Sequence, residues 1–393
     1  MQQVLTQLCQ RVRAARESGT TLFIQGGNTK AFYGEPIATR FSTPGADPAA
    51  APATGQKNAE NAGAMTPIPS ENILDLSAYR GIINYEPSEL VITARAGTPL
   101  SEIEATLAQK GQALAFEPPR FGAASTLGGC VAAGLSGPRR MAVGKLGDFI
   151  LGARLLHSSG EVMSFGGEVM KNVAGYDVSR LLAGSLGSLG PIVEVSVKVL
   201  PIAPCEQTRR IDIDEAGALG LFNTWRGLPL PLSATAWVPA ESRSGTLYVR
   251  LSGSRPAVDS AIAQVGGDAL SDDAAAAFWD SMRDQTHPFF AQRPLWRIAV
   301  PPTTGTLDLG PTLIEWNGGL RWVSTPMAAS ELRSKVQACG GHATLYRYDN
   351  KPADVPVFHP LSSALERINR RMMEQFDPTG IFNTGRRFPV VQG

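Results

Sequence analysis

The first residues able to do chemistry are Gly26, Gly27, Asn28, Thr29 and Lys30, which follow the short apolar run Leu22 to Ile24. A glycine pair lets the backbone turn tightly and brings its N–H groups close to an anion. Asn28 and Thr29 add side-chain donors, so the natural guest is a pyrophosphate; a generic strand-to-turn glycine pair is the plainer alternative. A second small-residue loop holds Ser125, Thr126, Gly128 and Gly129, with Gly134, Gly137, Gly144 and Gly147 after it. A third, "GSLGSLGPI", carries Gly184, Gly187 and Gly190 and runs into a strand at Ile192. Three glycine clusters, each beside a strand, point to backbone wrapped around one long ligand. The fingerprint G-x-G-x-x-G is absent, so a nicotinamide-binding fold is not indicated.

Candidate acid–base groups are few. The histidines are His157, His287, His342 and His359, none at i, i+2 or i+4 spacing, so no metal site is expected. In "GGHATLYRY", His342, Thr344 and Tyr346 share one face of a regular strand and Arg347 takes the other. His342 and Arg347 therefore share a face only across a bulge. His342 and Tyr346 are the catalytic candidates, against the plainer reading of a structural histidine. Lys171, Asn172 and Tyr176 are further candidates, or ordinary packing and surface residues.

Positioning these residues takes more than one domain. The chain has 393 residues, 43% of them hydrophobic and 18% charged, with a net charge of +1. That composition suits a globular protein with a sizeable core and gives no basic surface for nucleic acid. Cys9, Cys130, Cys205 and Cys339 stand far apart, without a C-x-x-C pair. They suit a reducing, cytoplasmic setting and argue against a structural zinc or iron–sulfur site in this chain. No apolar run is long enough to span a membrane.

Val4, Leu5, Leu8 and Val12 recur at helical spacing, which favours an amphipathic first helix over an Arg-rich transit peptide. Residues 42–70 are rich in Pro, Ala and Gly without apolar period, and read as a mobile insertion. "LVITARAG" is a strand, and Thr98 and Pro99 open a helix through Leu100, Ile103 and Leu107. Val193, Val195, Val197 and Val199 alternate as in a half-buried strand. Pro201 and Pro204 mark a boundary, beyond which all six tryptophans lie. There "SATAWVPA", "GTLYVRLSG", "PLWRIAVP", "TLIEW", "LRWVST" and "HATLYRY" are strand candidates, with "NGG" as a hairpin turn. "AVDSAIAQV", "DAAAAFWDSMRDQ" and "MAASELRSKVQAC" are helix candidates, which predicts one antiparallel sheet with helices on one face.

Five segments in order, "IQGGNTKAFYG", "VITARAGTPLSEIEATLAQKG", "STLGGCVAAGLSGPRR…GDFILGARLLHSSGEV", "GYDVSRLLAGSLGSLGPIVEVSVKVLP" and "FDPTGIFNTGR", resemble the FAD-linked oxidases of the vanillyl-alcohol-oxidase superfamily. Within it they are most similar to the FAD-binding subunits of bacterial glycolate oxidases. The resemblance implies an α+β fold: a two-lobed PCMH-type FAD-binding domain over 1–203, an α+β cap domain on an antiparallel sheet over 204–355, and a return segment over 356–393. It implies FAD held along Gly26 to Lys30, by Pro118 and "STLGG", and by Gly187, Gly190 and Ile192. The first loop has no His or Cys to link a flavin, and Cys130 reads as a buried small hydrophobe, so FAD is expected to be non-covalent.

Related 2-hydroxy-acid dehydrogenases carry clustered cap histidines, often around a metal, and "GGHATLYRY" resembles their cap strand without those ligands. The resemblance therefore implies a flavin subunit that oxidises glycolate, or another small 2-hydroxy acid, together with a paralogous catalytic FAD subunit and an iron–sulfur subunit. Any contact with the inner membrane would be made through those partners. A self-sufficient dehydrogenase using His342 or a tyrosine, and a non-catalytic scaffold, are the alternatives.

Overall fold

The structure is a computed structural model describing residues 1–36, 68–167, 177–240, 244–383 and 385–387. The expected insertion is therefore outside the described residues from 42 to 67, as are Lys171, Asn172 and Tyr176. Helix α1 (Gln2–Ser18) buries Leu5, Leu8, Val12 and Ala15, one side of a 3.6-residue period. It stops at Gly19, whose φ of 68° lets its N–H return to the Ala15 and Arg16 carbonyls. Strands β1 (Phe23–Gln25) and β2 (Ile73–Asp75) pair in parallel beneath it.

Strands β3 (Ile82–Glu86) and β4 (Val91–Arg95) lead into helix α2 (Leu100–Ala108), which follows Pro99 and buries Leu100, Ile103 and Leu107. Next come β5 (Gln112–Ala113), helices α3 (Leu127–Ala133) and α4 (Arg140–Val143), and strands β6 (Ile150–Leu156) and β7 (Val162–Gly166). Helix α5 (Val178–Leu181) then precedes β8 (Ile192–Lys198) and β9 (Leu200–Pro201). An antiparallel sheet forms in the order β3-β4-β8-β6-β7.

Strand β8 is its centre, which corrects the half-buried expectation. Val193, Val195 and Val197 fill one face, and the other is also closed, by a Thr93–Ser196 hydroxyl pair at 2.8 Å and by Tyr79 donating to Glu194 at 2.7 Å. Polar residues alternate along the strand, yet they find partners rather than water.

Beyond Pro204 the chain builds a second sheet. Its strands are β10 (Cys205–Asp212), β11 (Leu232–Pro239), β12 (Gly245–Gly253), β13 (Asp268–Ala269), β14 (Leu295–Ala299), β15 (Thr312–Glu315), β16 (Leu320–Val323) and β17 (His342–Arg347). The order is β13-β10-β12-β11-β15-β16-β14-β17, antiparallel throughout.

Helices α6 (Glu215–Arg226), α7 (Arg255–Val265) and α9 (Ala329–Ala338) cover one face through Phe222, Val258, Leu332 and Val336. Helix α8 (Asp272–Arg283) takes the other, where Trp279 and Met282 join Leu313, Trp322 and Tyr346 against Tyr33, Ala133, Leu135 and Leu186 of the first lobe. The one-face expectation thus holds for three of these helices and fails for α8.

Between β15 and β16, Asn317 (φ 52°) and Gly318 (φ 93°) make the turn that "NGG" signals. Helix α10 (Ser363–Phe376) leads back to the first lobe, where Phe382 bridges Leu22. Among the described residues no helix is long and apolar enough to cross a membrane.

Candidate functional site

A groove of about 400 Å³ opens between the loop after β1, helix α3 and the segment preceding β8. Its volume is that of a small-molecule or cofactor site. Gly26, Gly27, Asn28, Thr29, Lys30, Thr126, Gly128, Gly129, Gly187, Gly190 and Ile192 all line it. Members of all three glycine clusters thus meet in one groove, while Gly134, Gly137, Gly144, Gly147 and Gly184 do not line it.

The glycines are required by the loops' approach to one another. A Cβ on Gly27 would fall 1.5 Å from the Ala124 carbonyl oxygen, and one on Gly128 would fall 2.6 Å from the Cβ of Ala96. The left-handed backbone of the first loop is at Asn28 (φ 56°). At Gly187 and Gly190 the φ values are 77° and 125°, a region that favours glycine.

Two of the residues expected to bind FAD stand outside the groove wall. Ser125 is buried behind it, where it accepts from Lys30 Nζ at 2.5 Å. Pro118 is buried but does not line the groove, because its segment turns toward the second sheet: Glu117 meets Arg250 there, and Arg120 N–H meets Asp284. Cys130 is 2% exposed on α3, and burial pushes its thiol up to about 12, so it behaves as a small hydrophobe.

Tyr33, Leu186, Asn383 and Arg386 also line the groove and were not among the expected residues. Asn383 accepts from Ile24 N–H at 2.8 Å and donates to the Leu186 carbonyl at 2.6 Å, tying two walls together. Arg386 donates to the carbonyls of Glu35 (3.1 Å), Ala31 and Lys30, and burial lowers its pKa to about 10. The asparagine in "FNTGR" was the available signal, but its distance of over three hundred residues from the first loop hid its role.

The donor set suits an anionic group. Burial pulls the pKa of Lys30 down, with Cys130 and Asp284 opposing. Its ammonium reaches Ser125 and, at 3.4 Å each, Thr29 Oγ1 and the Arg120 carbonyl, and no carboxylate among the described residues pairs with it. A partly buried cation with neutral partners, in a groove walled by glycine backbone, fits the diphosphate of a dinucleotide.

His342 and Tyr346 lie on β17, away from the groove wall. Tyr346 is 1% exposed, packed between Phe32, Tyr33 and Trp322 at ring distances of 5.5, 5.4 and 4.9 Å. Burial raises its pKa, so it keeps its proton. The register against β14 slips at Tyr346: Leu295 pairs Arg347 and Trp296 pairs Leu345. This is the bulge that a shared face requires, and the Arg347 guanidinium stacks on Phe32 at 5.0 Å beside Tyr346.

His342 is exposed at the strand's start; local desolvation, then Arg297, His359 and Arg140, hold its imidazole below the usual range. Among the described residues no three His, Cys, Asp or Glu side chains gather to hold a metal. A titratable group that the sequence did not reveal is Glu315, 4% exposed and hydrogen-bonded by Trp322 Nε1 at 2.7 Å. Burial pushes its carboxyl up to about 7.

Comparison with known proteins places this architecture. The family model described as "FAD binding domain" matches residues 55–166, and the molecule is an FAD-dependent oxidoreductase fold. The chain is 39% identical over 383 residues to the glycolate oxidase subunit GlcE of Escherichia coli (strain K12), covering 97% of this chain and 96% of that one. The chain belongs to the GlcE family. It is also 29% identical over 147 residues to the glycolate oxidase subunit GlcD of Bacillus subtilis (strain 168), 37% of this chain and 31% of that one. A solved alkyldihydroxyacetonephosphate synthase shares the fold, with a TM-score of 0.61 at 15% identity, covering 98% of this chain and 74% of the other.

Proposed function

We propose that the chain is the FAD-binding subunit of a glycolate oxidase complex, oxidising glycolate to glyoxylate beside a paralogous catalytic FAD subunit and passing electrons to an iron–sulfur subunit. The observation that carries this is the groove itself. In a chain that matches GlcE over nearly its whole length, three glycine clusters and a partly buried Lys30, with no carboxylate partner among the described residues, converge on one groove. FAD held there supplies a two-electron acceptor.

Lys30 neutralises the diphosphate, Asn28 and Thr29 lend it donors, and Gly187, Gly190 and Ile192 offer main chain along the rest of the cofactor. Asn383 and Arg386, themselves in the groove wall, tie its segments together. Cys130, the cysteine nearest the second loop, is buried with its thiol protonated, which supports non-covalent FAD. We place the protein in the cytoplasm, with any membrane contact made through its partners.

Taking a hydride from a 2-hydroxy acid also requires a base for the hydroxyl proton, worth ~10²–10⁴-fold. Tyr346 holds its proton, and His342, although neutral near pH 7, is outside the groove wall. The isolated chain is therefore a slow dehydrogenase that needs its partners. Anaerobic addition of glycolate to the purified flavoprotein tests this. The flavin absorbance should bleach slowly alone and rapidly once the partner subunits are added. Fast bleaching of the chain alone, lost in His342→Ala, would make it a self-sufficient dehydrogenase; a colourless chain that takes up no FAD would make it a scaffold.

A further inference from the structure

Helix α10 is held at one end. Leu365, Ile368, Met372 and Phe376 recur at i, i+3, i+7 and i+11, which makes one apolar stripe along the helix. Met372 and Phe376, with Met373 beside them, pack against the core of the first lobe, where Phe376 meets the Phe165 ring at 6.0 Å. The other half of the stripe has no such cover among the described residues. Leu365 is 50% exposed and Ile368 62%, and Leu361, just before the Ser362 cap, is 38% exposed. Every residue from 361 to 368 is exposed.

A helix of this length is marginal alone in water, so packing of its apolar face has to supply its stability. In α10 only the C-terminal half receives that packing. The first two turns rest on local devices: Ser362 Oγ accepts from Leu365 N–H at 3.4 Å, and Glu366 pairs with Arg370 at 3.0 Å. Neither device covers the stripe. The charges left over have one sign. Arg367 and Arg371, four residues apart, form a row on the side of the helix away from Glu366, and among the described residues neither makes an ion pair. The remaining acid, Glu374, stands in the last turn beyond both arginines and pairs with neither. A surface apolar at its centre and cationic along one edge complements one that is apolar and rimmed by carboxylates.

We propose that the exposed half of α10, with Leu361, Leu365 and Ile368 edged by Arg367 and Arg371, is the docking surface for another subunit of the complex, which receives it in an apolar groove rimmed by carboxylates. The existence of that subunit rests on the glycolate oxidase reading, and the chemistry of its groove rests on α10. Charge disfavours a second copy of this chain, because an antiparallel two-fold pair would set the Arg367–Arg371 row against itself. Size disfavours a lipid surface: three apolar side chains bury little in a bilayer, and Glu366 and Glu374 oppose anionic headgroups. The docking surface is also tied to the flavin groove. Past Phe376, Asp377 accepts from Phe382 N–H at 2.8 Å, and the chain runs directly into Asn383 and Arg386 of the groove wall. A subunit seated on α10 therefore bears on the segment that completes that wall.

The test is interferometric binding of the FAD-loaded full chain to the paralogous FAD subunit and to the iron–sulfur subunit, each purified and presented separately. Leu365→Gln combined with Ile368→Gln keeps helix propensity and removes the exposed stripe. It should weaken binding to one of the two subunits ~10–100-fold, the loss of two central apolar contacts. Arg367→Glu combined with Arg371→Glu should slow association with that subunit ~10-fold in low-salt buffer and flatten its dependence on salt. Without partners, both variants should keep wild-type flavin content and melt within a degree or two of wild type, since the altered side chains face solvent.

Unchanged affinity of the Gln variant for both subunits would overturn the docking site and leave the glycolate oxidase reading standing. A wild-type chain that binds neither subunit would overturn both. A Gln variant that melts several degrees lower or sheds its flavin would also overturn the site, because the stripe would then be covered within the chain itself. So would self-association of the wild-type chain that the Gln variant loses, which makes a second copy the occupant. Cosedimentation of the wild-type chain, and not of the variant, with vesicles of phosphatidylglycerol and phosphatidylcholine would overturn it in favour of a lipid surface.

Discussion

Replacing Gly27 by alanine adds one methyl group, and the structure says where it goes. The new Cβ would stand 1.5 Å from the Ala124 carbonyl oxygen, whereas ordinary contact begins at 3.4 Å. Backbone must therefore retreat by roughly 2 Å on one side of the cleft. Gly27 is not among the positive-φ residues, so the cost is steric and not conformational.

The retreating segment carries Ser125 and Thr126. Three main-chain bonds anchor it: Leu100 N–H to Ser125 O at 2.8 Å, Leu127 N–H to Thr98 O at 2.9 Å and Gly128 N–H to Ala96 O at 2.8 Å. Losing two of them, or overpacking the wall without losing any, costs about 2–3 kcal/mol. If that cost falls on the bound form, FAD affinity drops ~30–150-fold. Gly27→Val should be worse, leaving no bound flavin after purification.

The assay is flavin content of the purified variant and its dissociation constant on reconstitution. Gly220→Ala serves as the control. That glycine is exposed within α6 with nothing within 4 Å of a new Cβ, so the variant should keep its FAD and gain about 1 kcal/mol from helix propensity. Near-stoichiometric FAD in Gly27→Ala, at an affinity within twofold of wild type, would refute the argument.

Three further outcomes are expected. Glu315 titrates near 7 when folded against 4.5 when free, so its folded pKa is raised and its contribution is lost as pH climbs from 4.5 to 7. Glu315→Gln, which can still accept from Trp322, should match wild type at pH 4.5 and exceed it by about 3 kcal/mol at pH 8 in urea melts; a pH-independent difference would rule this out. Glu117→Ala leaves the 5%-exposed Arg250 with only the more distant Glu206 carboxylate at 3.8 Å and should cost about 3 kcal/mol, with a loss under about 0.5 contradicting the buried pair. Acid precipitation of the purified flavoprotein should release all yellow colour into the supernatant, and colour kept by the pellet would mean a covalent link.

Local chemistry was the legible part of the sequence. Gly26, Gly27, Gly128 and Gly187 announced backbone brought close to something, and they do line one cleft. The alternating valines gave β8 and the asparagine–glycine turn gave the β15–β16 hairpin.

Where polar residues find partners inside the fold, the pattern misled or was silent. Ser196 and Glu194 made β8 look half-solvated, although Thr93 and Tyr79 meet them. Strand β10 carries Glu206, Arg209 and Arg210 and offers almost no apolar alternation, so it went unread. Helix α6 contains Gly217 and Gly220, which lower its propensity; the Asp214 cap and the burial of Phe222 and Trp225 hold it. The bulge at Tyr346 and the turning away of Pro118 depend on contacts between distant segments, and no local period encodes those.

The closure of the first strand by residues 381–386 has a consequence for biosynthesis. Leu22 N–H is held by the Ile381 carbonyl, Ile24 N–H by Asn383, and Arg386 grips the carbonyls of Lys30 and Ala31. Asn383 is 359 residues downstream of Ile24, so it leaves the ribosome long after the first loop. At ~5–20 residues per second the N-terminal loop waits on the order of a minute for the segment that finishes its wall. Until residues 381–386 are made, a nascent chain displays a half-built cleft, so a polypeptide ending before Ile381 should form both sheets and hold its cofactor poorly.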